Sequence, residues 1–187
     1  ELIDTTVLLA HYPAPIPGGA GILTDSGAFK GFSLDYCDAV GLPIAPISAR
    51  TRAALKEILP EFTQLSNPVD MTAQAAFDHS MYTRTTRALM EDPGVGGVSA
   101  SIMAGSADIS LERARAVAAG KVANGKPLIC AFLGGDLPIS PELKPMLASQ
   151  GIPFFKSPER GLRALGRAVA YGAALRVRRP KASKLKV

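Results

Sequence analysis

Short apolar runs alternate with longer stretches of helical period along most of this chain, and that alternation organises everything else in the sequence. An opening stretch, Leu2 to Ala10, has helical character and gives way to Pro13-Ala14-Pro15-Ile16-Pro17-Gly18-Gly19, whose prolines lack the amide hydrogens a helix requires. A strand is then predicted from Ala20 to Leu23, a loop Thr24-Asp25-Ser26-Gly27, and a helix to about Val40. A second strand is predicted at Ile44 to Ile47. Ser48 follows, where its hydroxyl can cap a helix running from Ala49 to Leu59. The segment from Phe62 to Phe77 has no clean period and reads as an ordered loop. Beyond it the pattern predicts a helix at Ser80 to Met90, a strand at Val98 to Met103 and a helix at Ser110 to Ala123. A strand at Leu128 to Leu133, a helix at Glu142 to Ser149, a short strand at Pro153 to Phe155 and a last helix from Glu159 to Val177 complete the series.

Strands separated by helices imply βαβ units with right-handed crossovers, hence a parallel sheet with helices on both faces. The expected fold is α/β, a flavodoxin-like doubly wound parallel five-stranded sheet of order 2-1-3-4-5. The chain divides into residues 1–17 as a helix end and linker from a preceding domain, 18–177 as the domain proper, and 178–187 as a basic linker or tail.

Composition changes this picture little. The 187 residues are 47% apolar and 20% charged, as in an ordinary folded domain. The net charge of +5 owes much to Arg176, Arg178, Arg179, Lys181, Lys184 and Lys186, a terminal run without the interleaved aromatic residues that stack on bases. Neither nucleic acid nor membrane is expected as a partner, and the tail is expected to be mobile. Cys37 and Cys130 lie far apart in apolar surroundings, with no second Cys or His at ligand spacing, so they read as reduced core thiols of a cytoplasmic protein. His11 and His79 stand beside no Ser or Cys in a recognisable catalytic pairing. No catalytic residue and no metal ligand is assigned.

In an open parallel sheet the chemistry sits at the carboxyl ends of the strands, where loops meet helix N-termini carrying free amides and partial positive charge. Three loops have that position: Thr24 to Gly31, Ser66-Asn67-Pro68-Val69-Asp70, and Ile102 to Asp108. The first matches neither a Walker loop nor a dinucleotide fingerprint. Each has a plain alternative, a tight turn, an Asx turn and a helix cap respectively. Gly134-Gly135-Asp136 has the position of a fourth rim loop but no further distinguishing chemistry.

The ordered series Gly21-Ile22-Leu23-Thr24-Asp25-Ser26-Gly27, Gly41-Leu42, Ile47-Ser48-Ala49-Arg50-Thr51, Leu59-Pro60, Asn67-Pro68-Val69-Asp70, Asp92-Pro93, Gly105-Ser106, Lys126-Pro127, Gly134-Gly135 and Gly151-Ile152-Pro153 resembles the CoA-ligase domain of the nucleoside-diphosphate-forming acyl-CoA synthetases, the succinyl-CoA synthetase superfamily. The resemblance runs from Gly18 to Tyr171, and Asn-Pro-Val-Asp is its most specific element. It implies conversion of a carboxylic acid, ATP and CoA to acyl-CoA, ADP and phosphate through an acyl phosphate and a phosphohistidine. It implies further that CoA and ATP with Mg are bound mainly by CoA-binding and ATP-grasp domains outside this chain. By the same resemblance Asn67, Gly105, Ser106 and Ala107 are substrate-binding, Asn67 donating to the carboxylate and the 105–107 amides holding its charge. The family's Ser-His-Thr-Gly stretch has no counterpart here, so the chain alone is expected to be inactive. The alternative implied by related fused proteins is a non-catalytic, ligand-sensing domain of a lysine acetyltransferase. An FMN-binding flavodoxin is disfavoured by the first loop and by the lack of any Trp.

Overall fold

A computed structural model describes residues 1–134 and 136–178. Five strands form one sheet, with every recorded pairing parallel. In chain order the elements are α1 (Leu2–His11), β1 (Gly19–Thr24), α2 (Gly27–Ala39), α3 (Ala49–Lys56), β2 (Val69–Asp70), a 3-10 turn at Ala73–Ala76, α4 (Ser80–Glu91), β3 (Val95–Met103), α5 (Ala107–Ala119), β4 (Leu128–Leu133), α6 (Leu143–Ser149), β5 (Phe154–Phe155) and α7 (Pro158–Arg178). The basic tail expected from 178 onward lies outside the described residues except for Arg178, which ends α7.

Side chains that alternate along a strand must go to opposite faces. On β4, Leu128, Cys130 and Phe132 join one buried cluster, while Ile129 and Ala131 join the other. The first cluster packs β3 residues Val98, Ala100 and Ile102 against Tyr82 and Leu89 of α4, Leu111 and Val117 of α5 and Leu147 of α6. The second packs Ala20 and Ile22 of β1 against Phe29 and Cys37 of α2, Leu162 and Leu165 of α7, and Leu8 of α1. Both sheet faces are thus covered, which explains why the strands read as continuous apolar runs rather than half-polar ones. Burial pushes the Cys37 thiol up to about 11 and the Cys130 thiol up to about 12, so neither ionises near neutral pH.

One expectation is corrected. The run Ile44 to Ile47 is not the edge strand: only Ile44 pairs with the sheet, through a single bridge to Ala20. Pro46 has no amide hydrogen to continue a ladder, and the chain leaves the sheet there. The edge position is taken instead by Val69 and Asp70, paired with Leu23 and Thr24, inside the segment that reads as a loop. The edge beside β1 is therefore made of two pieces far apart in sequence, and the outward order 2-1-3-4-5 survives with a different second strand.

Helix α1 is docked on α7 rather than standing apart. Leu8 is fully buried, Tyr12 donates to the Gly151 carbonyl at 2.7 Å, and the Asp4 carboxylate takes two hydrogen bonds from the Arg160 guanidinium. Those bonds hold the Asp4 carboxyl below its ordinary value of 3.8, against the opposing effect of burial. A carboxyl whose pKa is lower folded than unfolded contributes stability that is present above the unfolded value and lost as pH falls through the folded one. The docking contribution should accordingly hold from neutral pH down to about pH 5 and fall away below about pH 4. Backbone 15N relaxation should show α1 gaining motion there before the sheet unfolds, and an α1 that stays as rigid as α7 down to global unfolding would contradict this.

Candidate functional site

The switch point of a 2-1-3-4-5 sheet lies between the carboxyl ends of β1 and β3, and the chain builds that point from four residues. Asp25, the first residue after β1, is 8% exposed. One of its carboxylate oxygens accepts from the Met103 amide at 2.8 Å, tying the end of β1 to the end of β3. The other accepts from the Tyr82 hydroxyl at 2.6 Å, reaching into α4. Arg113 of α5, also 8% exposed, donates to the Met103 carbonyl at 2.7 Å and brings the same nitrogen to 3.9 Å from Asp25. Its Nε atom is buried without a hydrogen-bond partner. Burial first, and then the Asp25 carboxylate, push the Tyr82 hydroxyl far up, so Tyr82 remains a neutral donor.

Above this network two helices begin. Ser26 caps α2, accepting from the Phe29 amide at 3.4 Å, and Ser106 caps α5, accepting from the Ile109 amide at 3.3 Å. Both starts offer amides with no carbonyl four residues back within the helix. They differ in what faces them. A Cβ on Gly27, at the α2 start, would lie 3.0 Å from an Asp70 oxygen, so the small residue there lets a carboxylate approach that helix start. Asp70 also accepts from the amide of Thr72, which adopts φ 61, ψ 173. Thr72 is the one non-glycine residue among those described with positive φ, in a region populated essentially by glycine, and such strain concentrates where a loop shape is functionally constrained. At the α5 start the first-turn carboxylate, Asp108, is exposed to solvent. An incoming anion therefore meets less opposition at α5 than at α2.

The residues predicted from sequence fare differently. Asn67 is saturated by backbone: its amide nitrogen donates to the Ala20 carbonyl at 2.7 Å and to the Ala45 carbonyl at 2.8 Å, and its oxygen accepts from the Ile22 amide at 2.9 Å. The side chain has become a rung between the two pieces of the edge, filling the gap in the ladder between Ile44 and Val69. It has no donor left for a carboxylate. Nor does it meet the Gly105 loop. Asn67 bonds on the outer edge of β1 at the level of Ile22, which pairs with Ser99 on the far side of β1, and the four steps of strand from Ser99 to Met103 span about 13 Å at the usual rise.

The Gly105 amide is also engaged, donating to the Ser110 hydroxyl at 3.0 Å. Ser106 and Ala107 alone keep the position expected of them, at the open start of α5. The sequence reading overlooked Asp25, Tyr82 and Arg113 as a group. Arg113 was detectable, because Ser110, Arg113 and Val117 follow helical spacing onto the buried stripe of α5, where an arginine needs a partner. Nothing local marks Tyr82, 57 residues from Asp25, as that carboxylate's donor.

Four large apolar side chains are exposed around this rim: Phe77 at 93%, Leu137 at 47%, and Met103 and Ile109 at 41% each. Among the described residues no group of three His, Cys, Asp or Glu side chains could hold a metal, and no helix is long and apolar enough to cross a membrane.

No family model matches the chain. Curated relatives do. It is 34% identical over 181 residues to an ADP-forming acetate-CoA ligase of Archaeoglobus fulgidus, covering 95% of this chain and 25% of that protein. This chain is homologous to one segment of the ADP-forming CoA ligases. A trans-feruloyl-CoA synthase from a prokaryote of unknown identity is 33% identical over 171 residues, covering 89% of this chain and 24% of that protein. A crystal structure from Pyrococcus horikoshii OT3 superposes with a TM-score of 0.74 at 27% identity, covering 92% of this chain and 40% of that one. The chain thus spans about a quarter of the length of these curated ligase relatives. The ligase segment and the switch point coincide in sequence, since matches of this extent include Asp25, Tyr82, Ser106 and Arg113 within them.

Proposed function

We propose that this chain is one domain of an ADP-forming acyl-CoA ligase and supplies the acid-facing wall of its active site from the start of α5. The observation that carries the reading is the match of 95% of the chain to a quarter of an acetate-CoA ligase. The rim geometry supports it. Two buried tethers, Asp25 and Arg113, fix the β1 and β3 exits, so the amides of Ser106 and Ala107 are oriented before any charge arrives. Donors fixed in advance are what a developing or transferred negative charge requires.

In this role the domain works beside CoA-binding and ATP-grasp modules that hold CoA and ATP with Mg, residues 18–177 being the ligase-like unit and residues 1–17 the approach to it. The exposed Phe77, Met103, Ile109 and Leu137 suit a rim that is covered by such neighbours. When bound, the nucleotide supplies the phosphoryl group; this chain's residues orient the acid and keep water from its activated form. The names of the relatives range from acetate to ferulate, so kinship leaves the acid open.

A substitution at the α5 start tests the reading. In the ligase containing this chain, Ala107→Glu would set a carboxylate over the amides, and kcat/KM for the acid should fall about hundredfold, the scale of losing one preorganised donor site. The unfolding midpoint should stay unchanged, because Ala107 is only partly buried. Unchanged kcat/KM would remove α5 from the acid site.

A further inference from the structure

A concavity lies on the same end of the sheet as the switch point, toward β5. It is a cleft of about 280 Å³ over the carboxyl ends of β4 and β5. Its floor is an aromatic pair, Phe132 and Phe154, with ring centroids 5.3 Å apart at an interplanar angle of 72°. Phe132 is nearly buried while Phe154 is half-buried, so the pair presents ring surface rather than a closed core. Leu137, Pro138 and Ile139, from the loop after β4, form one apolar side, and Ala104 at the exit of β3 closes the end nearer the switch point.

The cleft is charged only at its mouth. Lys144 of α6 and Lys156, just after β5, stand there with Asp136. Two ammonium groups against one carboxylate leave a net charge of +1 in the lining. Neither lysine has a carboxylate within ion-pair distance among the described residues. Both also line an adjoining hollow toward α1, but the carboxylate found there, Asp4, is held by Arg160. Two exposed lysines therefore line one apolar opening, with Asp136 the one carboxylate among the described lining residues and beyond ion-pair distance of both.

We infer that this cleft is a binding site for a small amphipathic anion, a planar apolar body carrying one carboxylate or phosphate group. The body would lie on the Phe132–Phe154 floor between Ala104 and the 137–139 wall, and the anionic group would sit between Lys144 and Lys156. The volume falls just below the usual range for ligand pockets, about 300–1,000 Å³, which limits the occupant to roughly one ring and its charged substituent. Ring edges and faces in a tilted pair suit a flat apolar guest, and two mobile ammonium groups suit a single anionic head better than an extended chain of charges. The site is distinct from the α5 start, where backbone amides rather than lysines are the donors, and it does not depend on the ligase reading.

The test is a 1H–15N titration of the 187-residue chain with phenylacetate and, separately, with phenyl phosphate, alongside inorganic phosphate and benzyl alcohol as head-only and body-only controls. At least one of the two aromatic anions should saturate with a dissociation constant of about 1 mM or tighter, as a ligand of this size allows. The shifted amides should cluster at Ala104, Phe132, Ile139, Phe154 and Lys156, and each control should bind at least about tenfold more weakly. Comparing the two anions shows which head group the site prefers. The paired substitution Lys144→Ala with Lys156→Ala removes two exposed side chains, leaves the rest of the spectrum in place, and should weaken binding at least about tenfold. Failure of both anions to saturate by about 10 mM, shifts centred elsewhere, controls that bind as well, or equal binding by the paired variant would each overturn the inference.

Discussion

Asp25→Ala is expected to lower the stability of this chain by about 3–5 kcal/mol, the scale of breaking a buried ion pair by removing one partner. The carboxylate is acceptor to both the Met103 amide and the Tyr82 hydroxyl and lies beside the Arg113 guanidinium. Its loss leaves a buried cation with one neutral acceptor, the Met103 carbonyl, and strands the Tyr82 hydroxyl in a site with no solvent access. Tyr82→Phe removes a single donor and should cost only about 1–2 kcal/mol. The comparison that isolates the charge is a double-mutant cycle. Arg113→Met on top of Asp25→Ala should recover part of the loss, because the uncompensated cation goes with it. Urea unfolding of the four proteins gives the cycle, and strictly additive losses would show that the carboxylate and guanidinium do not support one another.

Asn67→Ala should cost about 3–4 kcal/mol, for a reason that has nothing to do with a ligand. Three hydrogen bonds to backbone disappear at once, and the Ile22 amide, in a fully buried strand residue, is left without its partner. A net bond contributes about 1 kcal/mol, and each buried polar group left unpaired adds about 1–3 kcal/mol. Asn67→Asp is the sharper variant. It keeps an acceptor for Ile22 but turns a carboxylate toward the Ala20 and Ala45 carbonyls, where the native amide donates. At neutral pH it should be at least as destabilising as alanine, and it should recover stability as the pH is lowered and the carboxyl gains a proton to donate. Near-native unfolding midpoints for both variants, together with lost acid turnover, would return Asn67 to the substrate-binding role first expected of it.

That role shows where sequence reasoning stops. Most of the sheet could be read directly. Leu128 to Leu133 is an unbroken apolar run between turn residues and forms β4 with those bounds, because a strand covered on both faces needs no polar alternation. Helix α3 follows the Ser48 cap as expected, whereas α5 starts at Ala107 rather than at the expected Ser110; the Ser48 and Ser106 hydroxyls each accept from the third following residue. The edge was not legible in the same way. A two-residue strand has no period, and Ile44 to Ile47 has every local mark of a strand except a donor at Pro46. What decides the edge is a side-chain amide standing in for a peptide group, a contact between residues 45 and 47 positions apart that no local pattern encodes. The site divides along the same line. The starts of α2 and α5 follow from turn residues after strands, whereas the Asp25, Tyr82 and Arg113 network is assembled across 88 positions of chain, 25 to 113, by the crossovers themselves.

The ligase assignment is tested most directly by assaying thioester formation from ATP, CoA and a panel of carboxylic acids, with this chain alone and with the CoA-binding and ATP-grasp modules supplied. The chain alone should form no acyl-CoA, and with its companions it should yield acyl-CoA, ADP and phosphate in equal amounts from at least one acid. Acyl-CoA formed by the purified chain by itself, or none formed from any acid by the complete set, would contradict the assignment.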